Sequence, residues 1–350
     1  MNILIVRVSA IGDVIHTLPA ISLIKKLYPN SKISWVVQQK AASLLLSQPF
    51  LDKVWVLPNK FIKPKNWRVT LNVINEIRKT QWNAILDFQG ITKTSIILSL
   101  LKGPKYGFDY NNSRLGLTSY FTKYHTKPEY TNIIQKNLAL ACDVVNNKNC
   151  PTIETLKKDF KLFIPEEKRL QIKKWLKENN IKKFIALTPN TTWDSKEWPT
   201  GNWQKLLKKL EQNKTDVVLI GKDFGKQAKD LASYINKNNL KTYCAPTWDL
   251  LATSYLISKS DLFIGPDTGL LHIADFLDKK TIGIFGPTLA KKHGPFLNTE
   301  SMKNAIQVIC PHYYQKTHGK NKKTGIKIDC MCKLTPENLF NKIIQILSIG

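Results

Sequence analysis

The sequence predicts an α/β protein made of two parallel-sheet domains in tandem. Short runs rich in Ile, Val and Leu, the pattern of strands buried on both faces, recur along the chain between turn residues. Segments with apolar residues at helical spacing alternate with them, as βαβ units require. The series also starts twice, on either side of a charged stretch from Lys157 to Lys183. At 350 residues the chain is long enough for each domain to bury its own core.

In order, Ile3–Val8, Ile33–Val37 and Ala84–Phe88 read as buried strands, with a helix at Leu18–Leu27 whose Pro19 suits the first turn. The charged stretch holds one helix, Glu166–Glu178, and the linker is placed near 165–175, which gives domains of 1–168 and 169–350. The second series reads Phe184–Thr188 as strand, Trp203–Leu210 as helix, Asp216–Ile220 as strand and Asp249–Ile257 as helix. Asp261–Gly265 and Thr281–Phe285 then read as strands around a helix over Leu270–Phe276. Thr335 and Pro336 open a last helix as cap and first residue. Tandem α/β domains make a cleft, where ligands bind.

The balance of 53 Lys+Arg against 26 Asp+Glu gives +27, which points to an anionic partner. Arg occurs only at 7, 68, 78, 114 and 169, however, and Arg is the preferred fork for phosphates and bases. The scattered Lys excess therefore speaks against a nucleic-acid-binding protein. No stretch reaches the ~18 apolar residues of a membrane span, and Arg7, Asp13 and His16 interrupt any leader-like run. A cytoplasmic location follows as the expectation, with most of the six cysteines as free thiols. Cys310, Cys330 and Cys332 with His312 and His318 could ligate zinc, but lack the paired C-x-x-C spacing of common zinc sites.

Three turns carry chemistry. Gly265-Pro-Asp-Thr-Gly269 lies between a strand and a helix, and the next strand ends in Gly286-Pro-Thr288. Such turns aim backbone N–H groups and hydroxyls at an anion, at the sheet edge where α/β proteins bind ligands. Asp267 adds a carboxylate and His272 a titratable ring. In Arg7-Val-Ser-Ala-Ile-Gly-Asp13, Gly12 permits close approach to a ligand; Asp13 is either an acceptor of a hydroxyl proton or a helix cap. Spacing alone leaves both readings open. In Thr188-Pro-Asn-Thr-Thr-Trp-Asp-Ser-Lys196, the hydroxyls of Thr191 and Thr192 and the Lys196 ammonium suit a diphosphate, although a loop lysine usually faces solvent. There is no GxGxxG, which disfavours a nicotinamide enzyme, and no Asp-x-Asp to hold a divalent metal on a sugar nucleotide. Lys60, Lys63, Lys65 and Arg68 interleave with Trp55, Phe61 and Trp67, which suits an anionic headgroup, an acidic saccharide or an ordinary solvated face.

Ser9 to Ala20, Thr191 to Pro199 and Asp267 to His272, with Asp87-Phe-Gln-Gly-Ile-Thr-Lys-Thr-Ser95, together resemble bacterial lipopolysaccharide heptosyltransferases of glycosyltransferase family 9. Gly12-Asp-Val-x-His-Thr-Leu-Pro19 resembles the type I enzymes more than type II. The resemblance implies a GT-B fold, two Rossmann-like doubly wound domains facing across a cleft, and an inverting transfer without metal or cofactor. Heptose would pass from ADP-L-glycero-β-D-manno-heptose to Kdo2-lipid A at the cytoplasmic face of the inner membrane, which the protein would contact peripherally. Asp13 would be the general base and Lys196 the cation on the diphosphate, beside Thr191 and Thr192. Asp267 would contact the heptose, while Thr268, Gly269 and His272 hold the phosphates. Ser9, Gly12, Lys60, Lys63, Arg68, Arg114 and Lys136, the last in place of a family Arg, would face the acceptor. Relatives often carry an acidic residue for the ribose after the strand at 216–220; here only Asp223 is near, and it is misplaced.

Overall fold

The computed structural model describes residues 1–112, 117–128, 130, 132–147, 149–156, 161–221, 223, 225–310 and 330–348. The chain divides into two units, Met1–Phe163 and Ile164–Gly350.

The first unit holds β1 (Asn2–Val6), β2 (Lys32–Gln38), β3 (Lys53–Leu57), β4 (Ala84–Asp87), β5 (Lys105–Phe108) and β6 (Tyr124–Thr126). They form one sheet in the order β3-β2-β1-β4-β5-β6, with every neighbouring pair parallel. The second unit holds β7 (Ile185–Leu187), β8 (Val217–Leu219), β9 (Thr242–Cys244), β10 (Leu262–Pro266), β11 (Thr281–Phe285) and β12 (Ile306–Gln307). Its sheet, also all parallel, runs β12-β11-β10-β7-β8-β9. Read from β9, this is the order of the first sheet. In each unit the chain therefore reverses its direction across the sheet after three strands, between β1 and β4 and again between β7 and β10. Loops leave opposite faces at such a switch point and open a crevice at the strands' carboxyl ends.

The strands form because their residues have nowhere wet to go. Ile3–Val6, β10 and β11 are buried throughout, as parallel strands covered on both faces must be. Helices cover them by the usual stripe: Thr200–Gln212 buries Trp203, Leu206, Leu207 and Leu210, spaced by three, one and three residues. Every strand and helix named from the sequence is present, most with ends displaced by one to three residues.

The units meet at 163/164, beside the expected linker at 165–175, and the helix Glu166–Glu178 packs within the second unit on the helix Leu250–Lys259. Trp175 meets Trp248 edge-on at 5.3 Å, and Lys168 Nζ lies 2.9 Å from Asp249, which caps Leu250–Lys259 through the Ala252 N–H. One expectation is corrected: most thiols are not free. Cys142 pairs with Cys150 and Cys310 with Cys330, and Cys244 and Cys332 are the free cysteines among the described residues. The backbone brings each pair to a Cα separation of 5.7 and 5.3 Å, ordinary for a disulfide. The candidate zinc set thereby has two of its sulfurs paired with each other, and its His312 and His318 lie outside the described residues. No described helix is long and apolar enough to cross a membrane.

Candidate functional site

At the first switch point, the loop after β1 and the turn after β4 interlock. Arg7 is 1% exposed; its Nη2 lies 2.8 Å from Asp13 Oδ1 and its Nη1 donates to the Phe88 carbonyl. Asp13 Oδ2 also accepts from the Ala10 N–H at 3.3 Å, so the carboxylate caps the short helix Ile11–Ile15 as well as pairing with Arg7. The Gln89 side chain bridges the two loops. Its Oε1 accepts from Val8 N at 2.8 Å and Ser9 N at 3.2 Å, and its Nε2 donates to Ser9 Oγ at 3.1 Å. Asp87 fixes that turn by accepting from Gln89 N, Gly90 N and Thr94 Oγ1. Burial pushes the Asp87 carboxyl above the usual carboxylate range, although these hydrogen bonds and the Arg7 charge oppose it.

At the second switch point, Asp267 follows β10 and four groups meet. Lys196 Nζ lies 2.6 Å from Asp267 Oδ2, and Thr288 Oγ1 donates to the same oxygen at 2.8 Å. His272 Nε2 sits 3.3 Å from Oδ1. Lys196 and Asp267 side chains are each 9% exposed. Burial alone would raise the Asp267 pKa, but the His272 hydrogen bond and the Lys196 charge hold it far below the ordinary carboxylate value. Asp267 is therefore an anion at every working pH. It can accept hydrogen bonds but has no proton to give. The ammonium also lies over the Trp193 ring, 4.3 Å from its centroid, which accounts for that loop tryptophan. Trp198, five residues on, is core, packed edge-on to Trp203 and bonded to the Leu334 carbonyl.

The helix Gly269–Phe276 starts beside this cluster, with Thr268 at its N-cap. The Thr268 hydroxyl is buried and accepts no capping hydrogen bond. First-turn N–H groups beside a lysine ammonium are groups of the kind that can seat an anion. Thr191 Oγ1 accepts from Trp193 N at 3.3 Å, and Thr192 beside it is exposed. His293, on the short helix Ala290–His293 after Thr288, feels the charges of Asp267, His272 and Lys196; burial brings its pKa down to about 4.

The structure thus joins Ser9, Gly12 and Asp13 in one loop, and Lys196, Asp267, Thr268, Gly269 and His272 around one turn. Lys196 is buried on Asp267 instead of facing solvent. Lys60, Lys63 and Arg68 are exposed after β3 and along the start of the helix Pro64–Arg78. Lys136 donates to Asn112 Oδ1 at 3.0 Å. Arg114 lies outside the described residues. Asp223 accepts from the Thr247 hydroxyl. Sequence reasoning missed Arg7 and Gln89 as partners of the Asp13 loop, and Thr288 and His293 around Asp267. The repeated Gly-Pro turn at 286–287 was the available signal for Thr288.

Residues 70–325 match glycosyltransferase family 9 (heptosyltransferase). The chain is 29% identical over 299 residues to lipopolysaccharide heptosyltransferase 1 of Campylobacter coli, covering 82% of this chain and 84% of that one. It is 25% identical over 364 residues to lipooligosaccharide heptosyltransferase 2 of Campylobacter jejuni, covering 98% of each. Among solved structures, the E. coli heptosyltransferase WaaC with ADP superposes with a TM-score of 0.76 at 19% identity, covering 99% of this chain and 100% of that one. At that identity the likeness concerns the fold, which is GT-B.

Proposed function

Because the chain belongs to glycosyltransferase family 9, we propose that it transfers L-glycero-D-manno-heptose from ADP-heptose to a Kdo residue of Kdo2-lipid A, with inversion. The observation that carries this reading is the buried Lys196–Asp267–His272–Thr288 cluster beside the start of the helix Gly269–Phe276. Its ammonium and the nearby helix N–H groups suit a sugar diphosphate. In this reading Asp13 takes the proton of the acceptor hydroxyl as that oxygen bonds to the anomeric carbon. The anomeric carbon–phosphate oxygen bond breaks, and its electron pair leaves with ADP. Lys196 and the helix N–H groups stabilise the charge that gathers on the leaving diphosphate. An ammonium has three donors, so Lys196 can serve a phosphate while keeping Asp267. Asp267, held ionised, accepts hydrogen bonds from heptose hydroxyls. Thr191, Thr192, Thr268, Gly269 and His272 complete the donor site.

The first unit would take the acceptor, through Ser9, Gly12 and the cationic Lys60, Lys63, Arg68, Arg114 and Lys136. Exposed Trp67 among these cations supports peripheral contact with the cytoplasmic face of the inner membrane. The test is transfer by purified protein from ADP-heptose to Kdo2-lipid A. Asp13→Asn is expected to lower kcat by about a thousandfold or more while leaving ADP affinity unchanged. Absence of transfer, or full transfer by Asp13→Asn, would overturn the reading. The match to a heptosyltransferase 2 favours one alternative, an acceptor that already bears heptose. Matched assays with heptosylated and unheptosylated Kdo2-lipid A separate the two.

A further inference from the structure

Arg7 and the Asp87-Phe-Gln-Gly90 turn have no part in the chemistry above, yet the chain spends a fully buried guanidinium on them. Burying an Arg is unfavourable unless its charge is compensated nearby. Here one terminal nitrogen meets Asp13 Oδ1 at 2.8 Å and the other meets the Phe88 carbonyl. The Arg7 carbonyl in turn accepts from Trp35 Nε1 at 3.1 Å, so backbone and side chain are both held to the sheet. Gln89, one residue past the carbonyl that holds the fork, fixes the Val8 and Ser9 backbone that follows Arg7. Asp87 locks Gln89 and Gly90 in place.

We infer that Arg7, mounted on the Asp87-Phe-Gln-Gly90 turn, is a positioning residue that aims the Asp13 carboxylate at the acceptor hydroxyl. With Nη1 bonded to the Phe88 carbonyl, the guanidinium is anchored to the turn and its charge stands at a fixed place beside Asp13 Oδ1. The ion pair at Oδ1 and the Ala10 N–H at Oδ2, 3.3 Å away, together set how the carboxylate is turned. Arg7 itself touches no substrate. The inference rests on Asp13 being the base.

The experiment is a double-mutant cycle in the full-length enzyme, with kcat and KM measured for transfer from ADP-heptose to Kdo2-lipid A. Arg7→Lys keeps one cationic donor and loses the fork; it is expected to fold, to lower kcat about tenfold and to leave the donor KM unchanged. Arg7→Met is expected to lower kcat about a hundredfold. In an Asp13→Asn background neither change should lower the residual rate further, because a positioning residue has nothing left to position. Wild-type kcat in Arg7→Lys would overturn the inference and leave Asp13 as base. So would an Arg7 effect of equal size in the Asp13→Asn background, which means that Arg7 acts elsewhere. Should Arg7→Met not fold, the Lys pair completes the cycle. Full activity in Asp13→Asn alone sinks the base assignment, and the inference with it.

Discussion

Asp267 stays charged in a setting that should neutralise it, and the residues responsible make separate predictions. Removing one partner of a buried ion pair strands the other, at a cost of about 3–5 kcal/mol. Lys196→Met is therefore expected to lower the melting temperature and to abolish measurable transfer; Lys196→Met/Asp267→Asn should recover stability without activity. Calorimetry with a transfer assay on both proteins checks this. His293 behaves in the opposite sense. With its folded pKa brought from 6.5 to about 4, it binds fewer protons folded than unfolded between those values. Stability therefore falls as pH drops through that window. His293→Gln removes the loss, so its stability relative to wild type is expected to rise by on the order of 2 kcal/mol from pH 7 to pH 5 in urea titrations. At this scale the sequence was legible where a residue type was conspicuous in its turn. Asp13, Lys196 and Asp267 met that condition. Arg7 and Gln89 did not, because the contacts that join their two loops lie 81 residues apart, whereas Thr288 had only its Gly-Pro turn as a signal. The same distance hid the ion pair between Lys196 and Asp267, two residues singled out separately.

At the scale of elements, the strand that carries Asp267 tolerates no added bulk. A Cβ on Gly265 would come 2.8 Å from Thr188 Cγ2 and 3.0 Å from the Thr188 carbonyl oxygen. The latter belongs to backbone at the end of β7 and cannot swing aside. Gly265→Ala is expected to cost about 1–3 kcal/mol, measured by thermal unfolding, and to weaken ADP binding because β10 and the turn after it must shift. Strands and helices were readable because burial on both faces, or on one stripe, writes itself into local order. The packing of one helix was not. The helix Glu166–Glu178 has a polar, lysine-rich sequence that resembles a linker, and what binds it to its unit is Trp175 on Trp248, a contact 73 residues distant in the chain. Disulfide pairing was hidden for the same reason, compounded by an argument from compartment that the sulfur positions do not follow.

Across the whole molecule, the proposed function divides by unit, and the division can be measured. If the second unit alone holds the nucleotide, saturating ADP should slow hydrogen exchange most at 188–196, 265–272 and 285–293, with smaller changes at 7–16. The largest protection at 7–16 would reverse the assignment of donor and acceptor. The net charge of +27 is carried by Lys rather than Arg; weak, steeply salt-dependent retention on immobilised DNA is the expected consequence, with no sequence preference. The two sheets share one strand order, and in both the loop after the first strand is held by a side chain from the turn after the fourth. Gln89 does this for Val8 and Ser9, and Asp267 does it for Lys196. Each of these two loops is thus pinned at the centre of its sheet by a side chain from the neighbouring strand's turn. Under the proposed function, inheritance could tinker at the margins: such an enzyme would gain a new acceptor by lengthening or recharging outer loops, leaving these pinned central loops undisturbed.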